Sequence, residues 1–278
     1  MGVNHTCAAL SNNSVYCWGN NEHGQLGRDT APNTSDAKPA PVVGLTSATG
    51  ASITDVTAGG RHSCALFSDS TIQCWGSNDD LQLGRTSEQQ PFNAEPKPVE
   101  NLFLKAGAKV TSISSGESYT CILISDDTVQ CWGYNNASAL GRPSETVIKS
   151  AEPKLADGLV FPAGVTIASL AVGAHHNCVH LSDNSVRCWG DNSYGELGQD
   201  PDTLEQSATA VFISGLSPGT GASLVSITSA WTHTCALFSD SIVMCWGQND
   251  DNQLGRDDWV GGAFGIAVPT PAPVENLF

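Results

Sequence analysis

The sequence predicts an all-β fold, a propeller of five blades with about four antiparallel strands in each, and three observations carry that prediction. A His/Tyr-x-Cys tripeptide recurs with its cysteine at 7, 64, 121, 178 and 235, a period of 57 residues along a chain of 278. Each copy is answered ten residues later by Cys-Trp-Gly, across a short polar turn. The residues flanking that turn are apolar on both faces: Cys64, Leu66 and Ile72 on one, Ala65, Phe67 and Trp75 on the other. A fixed period held from end to end marks a repeat architecture whose single unit cannot bury its own apolar face. Strands apolar on both faces are covered twice, so each small sheet is expected to stack between neighbouring sheets, as blades do. One repeat domain over 1–278 follows, with no internal linker.

The hairpin is the best-defined element. Its turns read Ser11-Asn12-Asn13, Ser68-Asp69-Ser70, Ser125-Asp126-Asp127, Ser182-Asp183-Asn184 and Ser239-Asp240-Ser241, and Asn and Asp tolerate the left-handed or Asx geometry of a tip. Centring the first hairpin on Asn12 sets Leu10 against Ser14, Ala9 against Val15 and Cys7 against Cys17, so facing cysteines come within disulfide reach. The same register pairs Cys64 with Cys74, Cys121 with Cys131, Cys178 with Cys188 and Cys235 with Cys245, which uses all ten cysteines. Two alternatives stay open at this stage: reduced, buried thiols acting as small hydrophobes, and a zinc site from Cys178, Cys188, His176 and His180. The other four hairpins lack the second histidine yet keep the cysteine pair, so a disulfide accounts for every copy. Persistent disulfides imply an extracellular, cell-surface or periplasmic location.

Two more strands complete each unit. An upstream strand is expected at 53–57, 110–114, 167–171 and 225–228, and a downstream one at Pro/Val segments such as 98–102 or 211–213. Between hairpin and downstream strand runs a frame, Trp-Gly-x-Asn-x4-Leu-Gly, at 18–27, 75–84, 132–141, 189–198 and 246–255.

Composition excludes several functions. A net charge of −16 and few basic residues, 12 Lys and Arg in all, oppose binding to a phosphate backbone, so no nucleic-acid partner is expected. No apolar run reaches the ~18 residues of a membrane span. Phosphate loops, metal-ligand clusters and paired catalytic carboxylates are missing from the motifs, so neither an enzyme nor a cofactor is expected. Residues 215–219 spell Gly-x-Ser-x-Gly, but Pro218 lacks the N–H an oxyanion hole requires after the serine.

The Trp-Gly-x-Asn-x4-Leu-Gly frame and the Cys-Ala-Leu-x-x-Asp hairpin together resemble the regulator of chromosome condensation repeat family, and the resemblance covers all five units. The paired cysteines look like a secreted bacterial branch of it. The family's Asp-Gly turn is altered here, since Asn13, Ser70, Asp127, Asn184 or Ser241 stands in place of glycine, and the family usually builds seven blades rather than five. The resemblance implies a binding scaffold. The family's eukaryotic founder is an intracellular nucleotide-exchange factor for a small GTPase that binds chromatin, which conflicts with the disulfides and the acidity. A plant ultraviolet-B receptor similar in fold uses clustered tryptophans, of which only Trp231, within residues 230–234, finds a partial match. A secreted β-lactamase inhibitor of similar fold presents loops to a protein partner.

Expected partner contacts therefore lie on loops. Trp231 and the apolar Trp259, Phe264 and Ile266 of the long fifth connection are the candidate anchors. The His5, His62, Tyr119, His176, His233 series is read as structural, and Arg28, Arg85, Arg142 and Arg256 as carbonyl caps. Repeat arithmetic leaves the stretch equivalent to 104–114 without a counterpart at the junction of the first and last units, so one strand is expected to be missing there and open to strand addition. The expected function is a secreted or surface propeller that binds a protein partner or self-associates. A structural segment of a larger extracellular assembly, or an exchange-factor-like intracellular regulator, are the alternatives.

Overall fold

The computed structural model describes residues 2–28, 35–86, 92–217, 219–256, 267–275 and 277. Among them nineteen strands form five antiparallel sheets. The first sheet holds β1 (His5–Leu10), β2 (Ser14–Gly19) and β3 (Asp36–Pro41). The second runs β4 (Ile53–Ala58), β5 (His62–Phe67), β6 (Ile72–Ser77), β7 (Phe92–Pro98), and the third β8 (Val110–Ser115), β9 (Tyr119–Ile124), β10 (Thr128–Tyr134), β11 (Lys149–Leu155). The fourth comprises β12 (Ile167–Val172), β13 (His176–Leu181), β14 (Val186–Asp191) and β15 (Gln206–Phe212). The fifth comprises β16 (Leu224–Ser229), β17 (His233–Phe238), β18 (Val243–Gln248) and β19 (Ala267–Pro273). The chain divides into two compact units, residues 1–135 with 147–156 and residues 136–146 with 157–278. The first unit carries three sheets and the second carries two.

The hairpin register is the one the turns require: Cys7 faces Cys17, Ala9 faces Val15 and Leu10 faces Ser14. All five cysteine pairs are disulfides, with Cα atoms 4.1–4.2 Å apart, and no cysteine is free. This removes the thiol and zinc alternatives. At each tip the residue that replaces glycine sits in the left-handed region: Asn13 at φ 66°, Ser70 at 69°, Asp127 at 61°, Asn184 at 65° and Ser241 at 68°. At three of the five tips its side chain does what glycine cannot. Asn13 accepts a bond from the N–H of Ile53, Ser70 one from Val110 and Asn184 one from Leu224, so three tips grip the first residue of the next sheet's opening strand. Glycine has no atom for that grip.

Consecutive sheets stack within each unit, and apolar clusters fill the gaps. Between the first and second sheets lie Val15, Cys17, Leu26, Ala65 and Trp75; between the second and third, Leu66, Ile72, Leu83, Ile113, Ile122 and Trp132. In the second unit Val186, Leu197, Ile213, Ile227, Phe238 and Trp246 do the same. Coverage by the first sheet on one side and the third on the other explains why β5 is buried at every residue; β9 and β13 are buried throughout as well.

The outermost strands start earlier than the Pro/Val segments suggested, at Phe92 rather than 98 and at Gln206 rather than 211. Prolines 96 and 98 lie within β7, an outermost strand whose free edge does not need their missing N–H.

Candidate functional site

The repeated polar residues, which the sequence marks as structural, serve as braces. A bulge interrupts the outer ladder at each tryptophan, as between Cys74 and Gly76. It throws the following glycine to positive φ, 106° at Gly76, where a Cβ would lie 2.6 Å from the Arg61 carbonyl oxygen. The bulge also strands carbonyls, and arginine collects them. Arg85 donates to Cys74 O and Lys97 O, Arg28 to Cys17 O and Ala40 O, and Arg256 to Cys245 O, Ala272 O and Thr270 O. These guanidiniums are occupied by backbone.

The frame asparagine ties down the Leu-Gly loop. Asn78 Oδ1 accepts from Leu83 N–H at 3.1 Å and its Nδ2 donates to Arg85 O at 3.2 Å, and Asn21, Asn192 and Asn249 repeat the pair. That loop then receives the next indole. Trp75 Nε1 donates to Gln25 O, Trp132 to Gln82 O, Trp189 to Ala139 O and Trp246 to Glu196 O, at 2.9–3.1 Å. All four indoles are fully buried, so none is open to a ligand arriving from solvent.

The histidines brace one sheet to the next. His5 Nε2 shares a hydrogen bond with Ser63 Oγ at 2.8 Å, His62 with Thr120 Oγ1 at 2.9 Å and His176 with Thr234 Oγ1 at 2.8 Å. Burial pushes His62 and His176 down to about 3 and His5 to about 4, so all three are neutral at pH 7. Separate sheets and separate hydroxyl partners leave no shared metal position. No group of three or more His, Cys, Asp or Glu able to hold a metal occurs among the described residues.

One buried acid departs from the pattern. Glu196 stands where three other repeats carry Gln25, Gln82 and Gln253, and its Oε2 accepts from Tyr194 N–H at 2.8 Å as those glutamines accept from the residue two before them. The glutamine amide donates onward, from Gln25 to Asn20 Oδ1 at 2.7 Å. At the matching place the fourth repeat has Asp191. Burial first, and the Asp191 charge second, raise Glu196 to about 8, against the bonds from the Glu196 and Tyr194 N–H groups.

Of the predicted anchors, Trp231 lies in the turn between β16 and β17 and is 47% exposed, its carbonyl accepting from Ala174 N–H. Trp259, Phe264 and Ile266 lie outside the described residues, as do parts of the variable connections at 29–34 and 87–91.

A feature the motifs did not disclose lies on β1. In four sheets the serine opening the tip clasps the residue before the first strand from both sides. Ser125 donates its N–H to Lys109 O at 2.9 Å and accepts Lys109 N–H on Oγ at 3.0 Å, and Ser68 does so with Ser52, Ser182 with Thr166 and Ser239 with Ser223. Ser11 is the fifth member, on a sheet whose described strands are β1, β2 and β3 only. No strand lies along the other edge of β1 among the described residues. The neighbouring Leu10 is 45% exposed, whereas Phe67, Ile124, Leu181 and Phe238 at the same place are 0–3% exposed. Serine recurring at each tip was the available signal.

A family model described as the RCC1-like domain matches residues 1–277. The chain belongs to this family. It is 30% identical over 256 residues to the human E3 ubiquitin-protein ligase HERC2, covering 91% of this chain and 5% of that protein. It is 26% identical over 263 residues to the ultraviolet-B receptor UVR8 of Arabidopsis thaliana, covering 91% of this chain and 53% of the receptor. The chain thus spans about half or less of these two relatives. Among solved structures, yeast RCC1 (Prp20) bound to Kap60 superposes with a TM-score of 0.77 at 22% identity, over 99% of this chain and 60% of that one. Human WBSCR16 gives 0.78 at 22%, over 98% and 65%. The RCC1-like chain is therefore all-β with propeller blades, as its periodicity predicted. In the second unit Asp200, Asp202 and Glu205 border an open recess beside Pro269, which adds to its acidic character. No helix among the described residues is long and apolar enough to cross a membrane.

Proposed function

We propose that this chain is a non-enzymatic protein-binding propeller that works outside the reducing cytosol. The observation that carries the reading is the pairing of all ten cysteines, one bridge in every central hairpin. A glutathione-buffered cytosol works against such bridges, whereas an exported protein keeps them. The interior polar groups are consumed in bracing loops and sheets, so recognition falls to the rim and the connections. Trp231, half exposed on a short turn, is the described anchor of that rim, and Trp259, Phe264 and Ile266 are its proposed extension. The net charge of −16 supports a partner with a basic surface, because opposite charge speeds encounter and disfavours acidic competitors. A solved structure of the family member Prp20p is described by its binding to Gsp1p and histones, and that precedent supports protein binding by this architecture.

The test has two arms. Non-reducing thiol labelling of the natively produced protein is expected to modify no cysteine. Immobilised wild-type protein, incubated with the extracellular proteins of its source, is expected to retain a partner that Trp231→Ala loses. Ten reactive thiols would refute the compartment, and equal retention by the variant would remove Trp231 from the binding surface.

A further inference from the structure

Resting on the exported compartment proposed above, we infer that Asn12, at the tip of the first hairpin, is an acceptor for an N-linked oligosaccharide. In all five tips the middle residue accepts a hydrogen bond from the residue two places on. Asp69 Oδ1 accepts from Thr71 N–H at 2.9 Å, Asp126 Oδ1 from the Thr128 hydroxyl at 2.5 Å, Asp183 Oδ1 from the Ser185 N–H and hydroxyl at 3.0 and 2.6 Å, and Asp240 Oδ1 from Ile242 N–H at 3.2 Å. The first tip keeps the bond, with Ser14 Oγ donating to Asn12 Oδ1 at 2.5 Å, but it carries an amide where the other four carry a carboxylate. An aspartate would serve that bond equally well, so the turn makes no use of the added NH2. Asn12 Nδ2 has no protein partner among the described residues.

The exchange has a chemical consequence. Asn12-Asn13-Ser14 is an Asn-x-Ser triplet with no proline at its centre, the acceptor pattern for N-linked glycans. Asn12 is exposed, and Asp69, Asp183 and Asp240 at the same place are exposed as well, so the exposure belongs to the tip and not to the first sheet alone. The contact between Ser14 and Asn12 spans two residues, so local chain geometry forms it before the sheet assembles, and the unfolded chain presents the same pattern to a transferase. Three other triplets of the kind are less suited. Asn33-Thr34-Ser35 begins outside the described residues. After Asn136, Ala137 stands at φ 47° and the Ser138 hydroxyl is buried and donates to Ser144 Oγ at 3.3 Å. After Asn4, the middle residue His5 is buried and bonded to Ser63, and no bond joins the Thr6 hydroxyl to Asn4 among the described residues. In the transfer, Asn12 Nδ2 bonds to the anomeric carbon of an oligosaccharide carried on a lipid diphosphate. The bond from that carbon to the diphosphate oxygen breaks, the lipid diphosphate leaves with the electron pair, and the amide proton passes to a base of the transferase.

The test is peptide mapping of the natively secreted protein after N-glycans are released by an amidase in heavy-oxygen water, which turns a glycosylated asparagine into a labelled aspartate. The label is expected at Asn12. Asn12→Asp, which restores the residue of the other four tips, and Ser14→Ala, both made in the same cells, are expected to lose this glycan completely, and Ser14→Thr to keep it. Asn12→Asp is expected to be secreted and folded, because four tips of the chain already fold with aspartate there. An unlabelled Asn12 overturns the inference. Found together with ten unreactive cysteines, it removes this site and leaves the compartment standing; found together with reactive thiols, it fails along with the compartment. A glycan retained on Asn12 in Ser14→Ala also overturns it, because the modification would then not be reading the triplet.

Discussion

Replacing Glu196 by glutamine tests the electrostatics of the braced interior most directly. The folded chain holds a proton on Glu196 up to about pH 8, whereas an unfolded glutamate releases it near 4.5. The unfolded state therefore binds fewer protons across that window, and stability falls as pH rises from about 4.5 to about 8, after which the loss is complete. At pH 7 the loss is about 3 kcal/mol at 1.36 kcal/mol per unit. Glu196→Gln keeps the bond from Tyr194 N–H and supplies an amide that donates toward Asp191, as Gln25 donates to Asn20. Guanidinium denaturation with disulfides intact, at pH 5, 7 and 8.5, is the assay. The variant is expected to exceed wild type by roughly 2–3 kcal/mol at pH 7, by more at 8.5 and by less than about 1 kcal/mol at pH 5. The histidines contribute equally to both proteins and cancel in the difference. A stability difference that stays constant across the three pH values, or a variant less stable at pH 8.5, would refute the buried-proton argument.

The buried histidines act with the opposite sign. His62 and His176 refuse a proton until about pH 3 while unfolded histidine accepts it near 6.5, so stability is full above 6.5 and drains as pH falls. In the Glu196→Gln background each should cost about 2 kcal/mol between pH 7 and pH 5, read as a drop in Tm, and a flat profile would argue against neutral braces. Asn78→Ala leaves the buried Leu83 N–H and Arg85 carbonyl without their partner and should cost about 2–3 kcal/mol in denaturant melts; a change below about 0.5 kcal/mol would mean that the loop re-satisfies them. Replacing Cys121 and Cys131 together by alanine opens a ten-residue bridge and should cost about 2–3 kcal/mol, with β9 and β10 gaining the largest hydrogen-exchange rates. Unchanged exchange in those strands would show that packing alone holds the hairpin.

Much of this was legible because the repeats check one another. The facing cysteines and hairpin register follow from turn chemistry and a period of two, so Cys7 opposite Cys17 was available from letters alone. The bulge at each tryptophan was not. Nothing in Cys-Trp-Gly announces that the outer ladder skips there, so the Pro/Val segments point to an outermost strand several residues later than Phe92 and Gln206, where it begins. Arginine after Leu-Gly was recognised as a cap, but which carbonyls it serves depends on that same bulge. The tip residues looked like departures from a glycine turn, and their grip on Ile53, Val110 and Leu224 becomes visible only when consecutive sheets are stacked. Ser11 escaped notice for a related reason: a repeated serine at a tip reads as turn chemistry until four of the five are seen clasping a strand. Trp231 is legible through its partial match, within residues 230–234, to the tryptophan motif of the similar plant receptor, and its exposure follows from its place in the turn between β16 and β17.

The indole bonds run from each repeat to the loop of the repeat before it, across 50 residues of chain. Lengthwise copying of the gene would keep every such bond provided the copied block is one full period, wherever the cut falls, since donor and acceptor travel together. Excision of a lone module is different: it would carry an indole without its carbonyl and a loop without its indole. Among pieces cut at sheet boundaries, two consecutive modules are thus the smallest in which one of these ties survives, which guides the choice of whole-sheet fragments worth expressing and the steps by which such arrays lengthen or shorten.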